Sequence, residues 1–430
     1  MNISILHGRV IDPASGLDAC SDMHIVAGQV VAIGAAPDDF QADLCLDAQH
    51  QVVCPGLVDL ATSLREPGFT KKGTLDSETA AAAKGGITTL VCTPDTNPVI
   101  DTPAVIELIQ RKARQAGQAR VLISAALTRG LDGRQLADMV ALQRAGAVAF
   151  SQAGRPFADA SVQHHALAYA GTFDLPVLLS PQDPALQADG CAHAGATATQ
   201  LGLPGIPTVA ETVALARDLA LAADTGTRIH CRGLSAADSL PLLQMARQRR
   251  QAVSTDVAIH QLHLTDWDLA DFDARCHVSP PLRTLRDRDA LRQAVADGLI
   301  PVISSDHQPH DQDAKTAPFP ATAPGISGLE TLLALTLRLV QEQVLSLPEA
   351  LARITCNPAD ALGLPYGRLA IGQAADVCIF DPDVHWTLRA DQMCSRGHNT
   401  PFDGWDFIGQ VTHTICEGRL VYQRDQETGT

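Results

Sequence analysis

The feature that most restricts how this chain can fold is a long, regular alternation of strand-like and helix-like segments through its middle. Eight short apolar runs recur there: GLVDLATS, ITTLVCTP, RVLISAALT, AVAFS, LPVLLS, TRIHCRGLS, VAIHQLHLT and IPVISSDH. Amphipathic or Ala-rich stretches of roughly 10–15 residues separate them, the length of a crossover helix. Eight parallel strands with eight crossovers is the count of a (β/α)8 TIM barrel. A doubly wound open sheet is the alternative, but no glycine-rich dinucleotide fingerprint follows any of the runs. The α/β barrel is the expectation. Helix ends are marked by Thr208-x-x-Glu211 with Gly226 at the far end, by Ser327-x-x-Glu330, and by Ser346-x-x-Glu349. Each of the three pairs has the pattern of a capping box.

The two ends of the chain have a different texture. Short alternating strands broken by Gly8, Gly28, Gly34 and Asp47 fill the first segment, and GRLAIGQAADVCIFDP and HTICEGRLVYQ repeat that texture near the other end. The expectation is one small β-sandwich domain built from residues 1–54 and 367–430, flanking a barrel at residues 55–366.

Composition narrows the class of partner. A formal net charge of −16 disfavours nucleic acid and anionic membrane. Eleven cysteines without a C-x-x-C pair predict reduced, mostly buried thiols and a cytoplasmic setting. No window reaches ~18 uninterrupted apolar residues, so no membrane span is expected.

In such barrels the reacting groups sit at the carboxyl ends of the strands. The segments there include LREPG after the first strand, CTPDTNP after the second, FSQAGRP after the fourth and LSPQDP after the fifth. HCRGLS, VSPPLR and SSDHQPH follow the sixth to eighth. Taken in order, LREPG, GGITTLVCTP, LGLPGIP, PPLR, DHQPH and GISGLET resemble the dihydroorotases of the amidohydrolase superfamily, from Val53 to about Phe380.

That resemblance implies a zinc-dependent hydrolase of dihydroorotate, with an H-x-H pair at the first strand, an acidic ligand after the fourth, His after the fifth and sixth, and Asp after the eighth. Here those positions are Ala61 and Ser63, the pair Gln152-Ala153, Ser180, Gly233 and Asp306. Only Asp306 keeps its type, and the first His of the sixth-strand motif survives as His230. One carboxylate does not make a zinc site, which needs three or four N, S or O donors. The substrate-holding positions implied by the family are Arg65, Asp95 and Ser279. Arg65 is retained, whereas an ionised Asp95 facing a substrate carboxylate at ~4 Å costs roughly 4 kcal/mol at an effective dielectric near 20.

The bland readings of the remaining groups are Arg65 paired with Glu66, Asp95 or Asp306, and Asp306 as an acceptor for its neighbours. His260 and His263 are expected on a strand, pointing to opposite faces; Cys54, Cys92 and Cys231 are expected in the core. The segment Gln308–Pro324 is expected as a lid or partner-facing loop.

These readings together predict no catalytic residue, no metal and no cofactor. The resemblance extends to inactive dihydroorotase-like chains that accompany the catalytic chain of aspartate carbamoyltransferase in pyrimidine biosynthesis. It therefore implies a non-catalytic subunit, itself a homo-oligomer (a dimer), within a mixed assembly. The alternatives are an active amidohydrolase on a cyclic amide with a rebuilt metal site, and a binding module for a small anion held by Arg65.

Overall fold

The computed structural model describes residues 1–424. Eight parallel strands pair in chain order: Leu57–Thr62, Ile87–Cys92, Arg120–Ala126, Ala147–Ser151, Val177–Leu179, Ile229–Cys231, Val253–Ala258 and Val302–Ser304. The ring closes just past the eighth strand, where Ser63 N donates to His307 O (2.8 Å) and His307 N donates to Ala61 O (2.9 Å). The first two strands are buried at every position, as a parallel sheet covered on both faces requires. Val58, Leu60, Val91, Leu178 and Val302 form one apolar cluster with Ala359 and Leu362 of the helix Cys356–Leu362. That cluster fills one end of the barrel and leaves the other end as a mouth.

The seventh strand lies earlier than the apolar run VAIHQLHLT suggested. Val253–Ala258 (VSTDVA) makes the strand, and Ile259–Leu262 is already a 3-10 turn. The β-branched Val253, Thr255 and Val257 suit a pleated ladder, and Asp256 is tolerated because it has partners. His260 therefore sits on that turn, with His263 capping it, rather than on a strand. Burial pulls the imidazole of His260 down to about 4 and that of His263 to about 3. His263 Nε2 donates to Leu335 O (3.0 Å), and neither ring lines the mouth.

Of the expected helix starts, Ser346 with Glu349 forms its capping box. The other two are overridden by tertiary partners. Thr208 turns its hydroxyl to Asp238, while Glu211 takes the backbone N–H groups of Ser235 and Ala236. Glu330 accepts from Cys394 N and Ser395 N, and Ser327 from beside it donates to Asn399.

The chain ends meet in one sheet of eight strands, running through Ile3–Asp12 and Val52–Pro55 to Val377–Thr387, Asp406–Cys416 and Arg419–Gln423. Val52–Pro55 pairs antiparallel with Val377–Thr387, which stitches the two termini together. Hydrogen bonding is continuous through the strands of the expected sandwich, and Ile3, Ile5, Met23, Ile25, Val53, Val377 and Ile415 share its core. Residues 425–430, the last of the expected composite domain, lie outside the described residues. Arg120 of the third barrel strand reaches Asp376 (2.6 Å) and Glu417 (3.0 Å), tying barrel to sheet.

Cys54, Cys92 and Cys231 are buried, and no cysteine among the described residues is paired. No helix among the described residues is long and apolar enough to cross a membrane.

Candidate functional site

The mouth is a cavity of about 220 Å³. Its wall is assembled from the ends of seven strands. Ala61 and Ser63 come from the first, Asp95 from the second, Ala153 from the fourth, Ser180 and Gln182 from the fifth, Arg232 and Gly233 from the sixth, Asp256 from the seventh, and Ser304 and Asp306 from the eighth. Ser279, in the loop before PPLR, completes it. A register irregularity between Asp59 and Thr62 breaks the in–out alternation of the first strand, and Ala61 and Ser63 rather than Thr62 line the cavity.

The backbone around this rim is unusual. Arg65 (φ 64°), Ala153 (φ 50°) and Asp306 (φ 45°) all lie in the left-handed region, where a side chain costs of order 1–3 kcal/mol. Strain of that kind persists where surrounding structure holds it, and here it recurs at the ends of the first, fourth and eighth strands.

Gln152 departs from expectation. Its amide faces Thr128, donating to and accepting from the hydroxyl at 2.9 and 3.1 Å, and the neighbouring Ala153 lines the cavity in its place. Adjacent residues at a strand end point to opposite sides. His230 is also spent elsewhere: its Nδ1 meets Ser254 Oγ (2.8 Å) and its Nε2 meets Asp256 Oδ2 (3.1 Å). Burial pushes the Asp256 carboxyl up, but the His230 contact, Arg232 and the Gly233 N–H hold it below the ordinary aspartate range.

Arg65 and Asp95 neutralise each other, Nη1 to Oδ2 at 3.4 Å, and Arg65 Nε donates to Pro309 O (3.1 Å). Thr93 Oγ1 donates to the other oxygen of Asp95 at 2.5 Å. Glu66 is not the partner of Arg65; it takes Lys112 and the N–H of Leu75. The repulsion expected from Asp95 is thus partly quenched, and the family's carboxylate anchor is quenched with it.

Asp306 accepts from Gln308 Nε2 at 3.1 and 3.2 Å, and Arg232 Nη2 stands 3.9 Å away. Burial pushes its carboxyl up to about 6; Arg232 and Gln308 pull the other way, while Asp256 and Asp59 push further up.

These residues do not fit zinc. The mouth presents a methyl group, hydroxyls and a glycine at the family's imidazole positions, and a guanidinium stands where it would repel a cation beside Asp306. Among the described residues, no group of three His, Cys, Asp or Glu side chains is placed to hold a metal ion.

Arg232, Asp256, Gln182 and Ser304 were not singled out from the sequence. For Gln182, Arg232 and Ser304 the signal available was positional, since they lie at or just past a strand's carboxyl end; Asp256 lies within the seventh strand, ahead of the apolar run, and had no such signal.

Fold and mouth together define a (β/α)8 barrel of the amidohydrolase type. Among solved structures, L-hydantoinase (dihydropyrimidinase) from Arthrobacter aurescens superposes with a TM-score of 0.88 at 24% identity, over 99% of this chain and 96% of that one. A dihydropyrimidinase from Brevibacillus agri superposes at 0.83 with 22% identity, over 98% and 95%. At such identities the likeness is one of fold. The dihydro-orotase-like family matches residues 50–239 and an amidohydrolase family matches residues 182–422. A dihydroorotase-like protein of Pseudomonas aeruginosa is 52% identical, covering 98% of this chain and 100% of its own length. A dihydroorotase of Syntrophotalea carbinolica is 42% identical over 98% and 99%. The chain belongs to the dihydroorotase-like family of amidohydrolases.

Proposed function

We propose that this chain is a non-catalytic, dihydroorotase-like subunit. It assembles with the catalytic chain of aspartate carbamoyltransferase and is required for the activity of that enzyme in pyrimidine biosynthesis. The observation that carries the reading is the donor set of the mouth. Ala61, Ser63, Ser180 and Gly233 face the cavity where the family pattern calls for imidazoles, and Gln152 faces away from it. Such a wall lacks the ligand set for a metal ion, the agent by which the family pattern would lower the pKa of a bound water. The frame around it is intact: a closed barrel, and a sheet that locks both termini onto it. A scaffold of this kind suits a protein whose working part is its outer surface. The cytoplasm is the setting in which eleven unpaired thiols are stable.

Co-expression with an aspartate carbamoyltransferase catalytic chain, followed by size-exclusion chromatography, tests the proposal. The expected result is one species containing both chains, with carbamoyl transfer lost when this chain is omitted. Two chains eluting separately, this one as a simple dimer, would sink it.

A further inference from the structure

Arg232 is 9% exposed and lines the mouth cavity, yet its Nε has no hydrogen-bond partner among the described residues. The nearest carboxylate contact of its guanidinium, Asp306 Oδ1 at 3.9 Å, is beyond hydrogen-bond reach. Two further groups on the same wall share this condition. Gln182 Nε2 and Ser304 Oγ are buried atoms without a partner among the described residues. Buried polar groups are satisfied as a rule, so three unsatisfied ones on one cavity wall need an account. The backbone that carries Arg232 is fixed on both sides. Its own N–H donates to Leu179 O (2.7 Å), and the next N–H, that of Gly233, donates to Asp256 Oδ1 (2.6 Å). The backbone from which the guanidinium projects is fixed before any ligand arrives.

We propose that the barrel mouth is a binding site for a small carboxylate carrying a single negative charge, anchored on Arg232 and completed by Gln182 and Ser304. A guanidinium presents a planar fork that matches a carboxylate, and the amide N–H and hydroxyl supply further donors. Charge sets the limit of one. Arg232 is the one cation on this wall among the described residues, while Asp256 and Asp306 stand on the same wall and Asp95 is already paired with Arg65, so a second negative charge on the ligand meets carboxylates rather than donors. The cavity's volume of about 220 Å³ suits a molecule of a few heavy atoms. The anchor differs from Arg65, whose guanidinium is committed to Asp95 and Pro309 O. The site is independent of the scaffold role proposed above: a subunit without chemistry can still report a metabolite.

Isothermal titration calorimetry on the purified full-length chain tests this, with lactate as the singly charged probe and malonate as the doubly charged one. Saturable lactate binding is expected, with malonate weaker by about tenfold or more. Arg232→Gln is expected to weaken lactate by about tenfold or more. Gln182→Leu, at the half-buried rim, is expected to weaken it about threefold without shifting the melting temperature. Lactate that fails to bind the wild-type chain, malonate that binds as tightly as lactate, or a folded Arg232→Gln with wild-type affinity would each overturn the proposal. Should Arg232→Gln not fold, Gln182→Leu decides, because unchanged affinity there removes the site. The isolated chain suffices for every arm, so the outcome does not depend on whether the transcarbamoylase binds.

Discussion

Glu78→Ala is expected to lower the unfolding free energy by ~3–5 kcal/mol, the scale of breaking a buried, fully partnered charge. Glu78 lies in the barrel helix Leu75–Lys84, and neither it nor His307 is exposed. Gly328 N donates to His307 Nδ1 (3.1 Å), so the ring proton is on Nε2, which donates to Glu78 Oε2 at 2.8 Å. The same carboxylate accepts from Ser395 Oγ (2.6 Å), Arg396 N (3.1 Å) and Ser77 Oγ (2.7 Å). One side chain therefore joins a barrel helix, the closure point after the eighth strand and the segment that returns from the terminal sheet. Alanine leaves three donors without an acceptor, those of His307, Ser395 and Arg396, while Ser77 Oγ keeps Thr74 O; each buried donor so stranded costs about 1–3 kcal/mol, non-additively. Glu78→Gln keeps an acceptor and is expected to cost about half as much.

Glu78 also carries an acid dependence. Burial pushes its carboxyl up, but the contacts to His307, Ser395 and Ser77 outweigh burial and hold it below the ordinary glutamate range. A depressed carboxylate contributes stability that is complete above its unfolded pKa and lost as pH falls through the folded one. The gap between wild type and Glu78→Ala should therefore narrow on acidification below the ordinary value of 4.5. Chemical denaturation at pH 7 and pH 4 measures both effects; a gap that stays constant would mean the carboxylate is not the source.

The barrel was legible because burial on both faces writes each strand as a short continuous apolar run, and crossover helices space those runs evenly. The one strand that was misplaced shows where that logic stops. Val253–Ala258 carries Ser254, Thr255 and Asp256, and its polarity hid it beside the more apolar segment that follows. Asp256 is affordable there only because His230 and the Gly233 N–H meet it, a contact between neighbouring strands that no local pattern announces. The mouth residues Ala61, Ser63, Ser180, Gly233, Ser279 and Asp306 were reached by position at strand ends, and the cavity gathers them. Of the pair Gln152-Ala153 only Ala153 lines the cavity, because period-two alternation sends adjacent side chains to opposite sides. Arg232 escaped notice. The family pattern directs attention to positions 230 and 233, while the cation that lines this mouth stands between them.

Asp306→Asn is expected to stabilise the protein at alkaline pH, against the usual direction for a mutation in a buried site. The Asp306 carboxyl is pushed up to about 6 from an ordinary 3.8, chiefly by burial, so the folded state holds its proton more tightly than the unfolded state does. The sign follows from that difference. A raised carboxyl pKa makes ionisation a burden on the folded form; the burden is absent below 3.8 and complete above about 6. A difference of about two pKa units corresponds to ~3 kcal/mol at pH 8, roughly half of that at pH 5, and almost nothing near pH 3. Asparagine imitates the neutral side chain, so the advantage of the variant over wild type should follow that course. Paired denaturation curves at the three pH values measure it, and comparing the two proteins cancels other titrating groups such as Asp218. A variant less stable than wild type at pH 8 would mean that the contacts to Arg232 and Gln308 outweigh burial. The predicted gain bears on function. A carboxylate that costs stability, on a rim of strained backbone, beside an arginine with an unmet donor, is a poor arrangement for a scaffold alone. Such conflicts between local preference and fold collect where a protein binds something. Asp306→Asn also removes the nearest competitor for Arg232, so the same variant should bind lactate more tightly than wild type at pH 8, where the stability gain is largest.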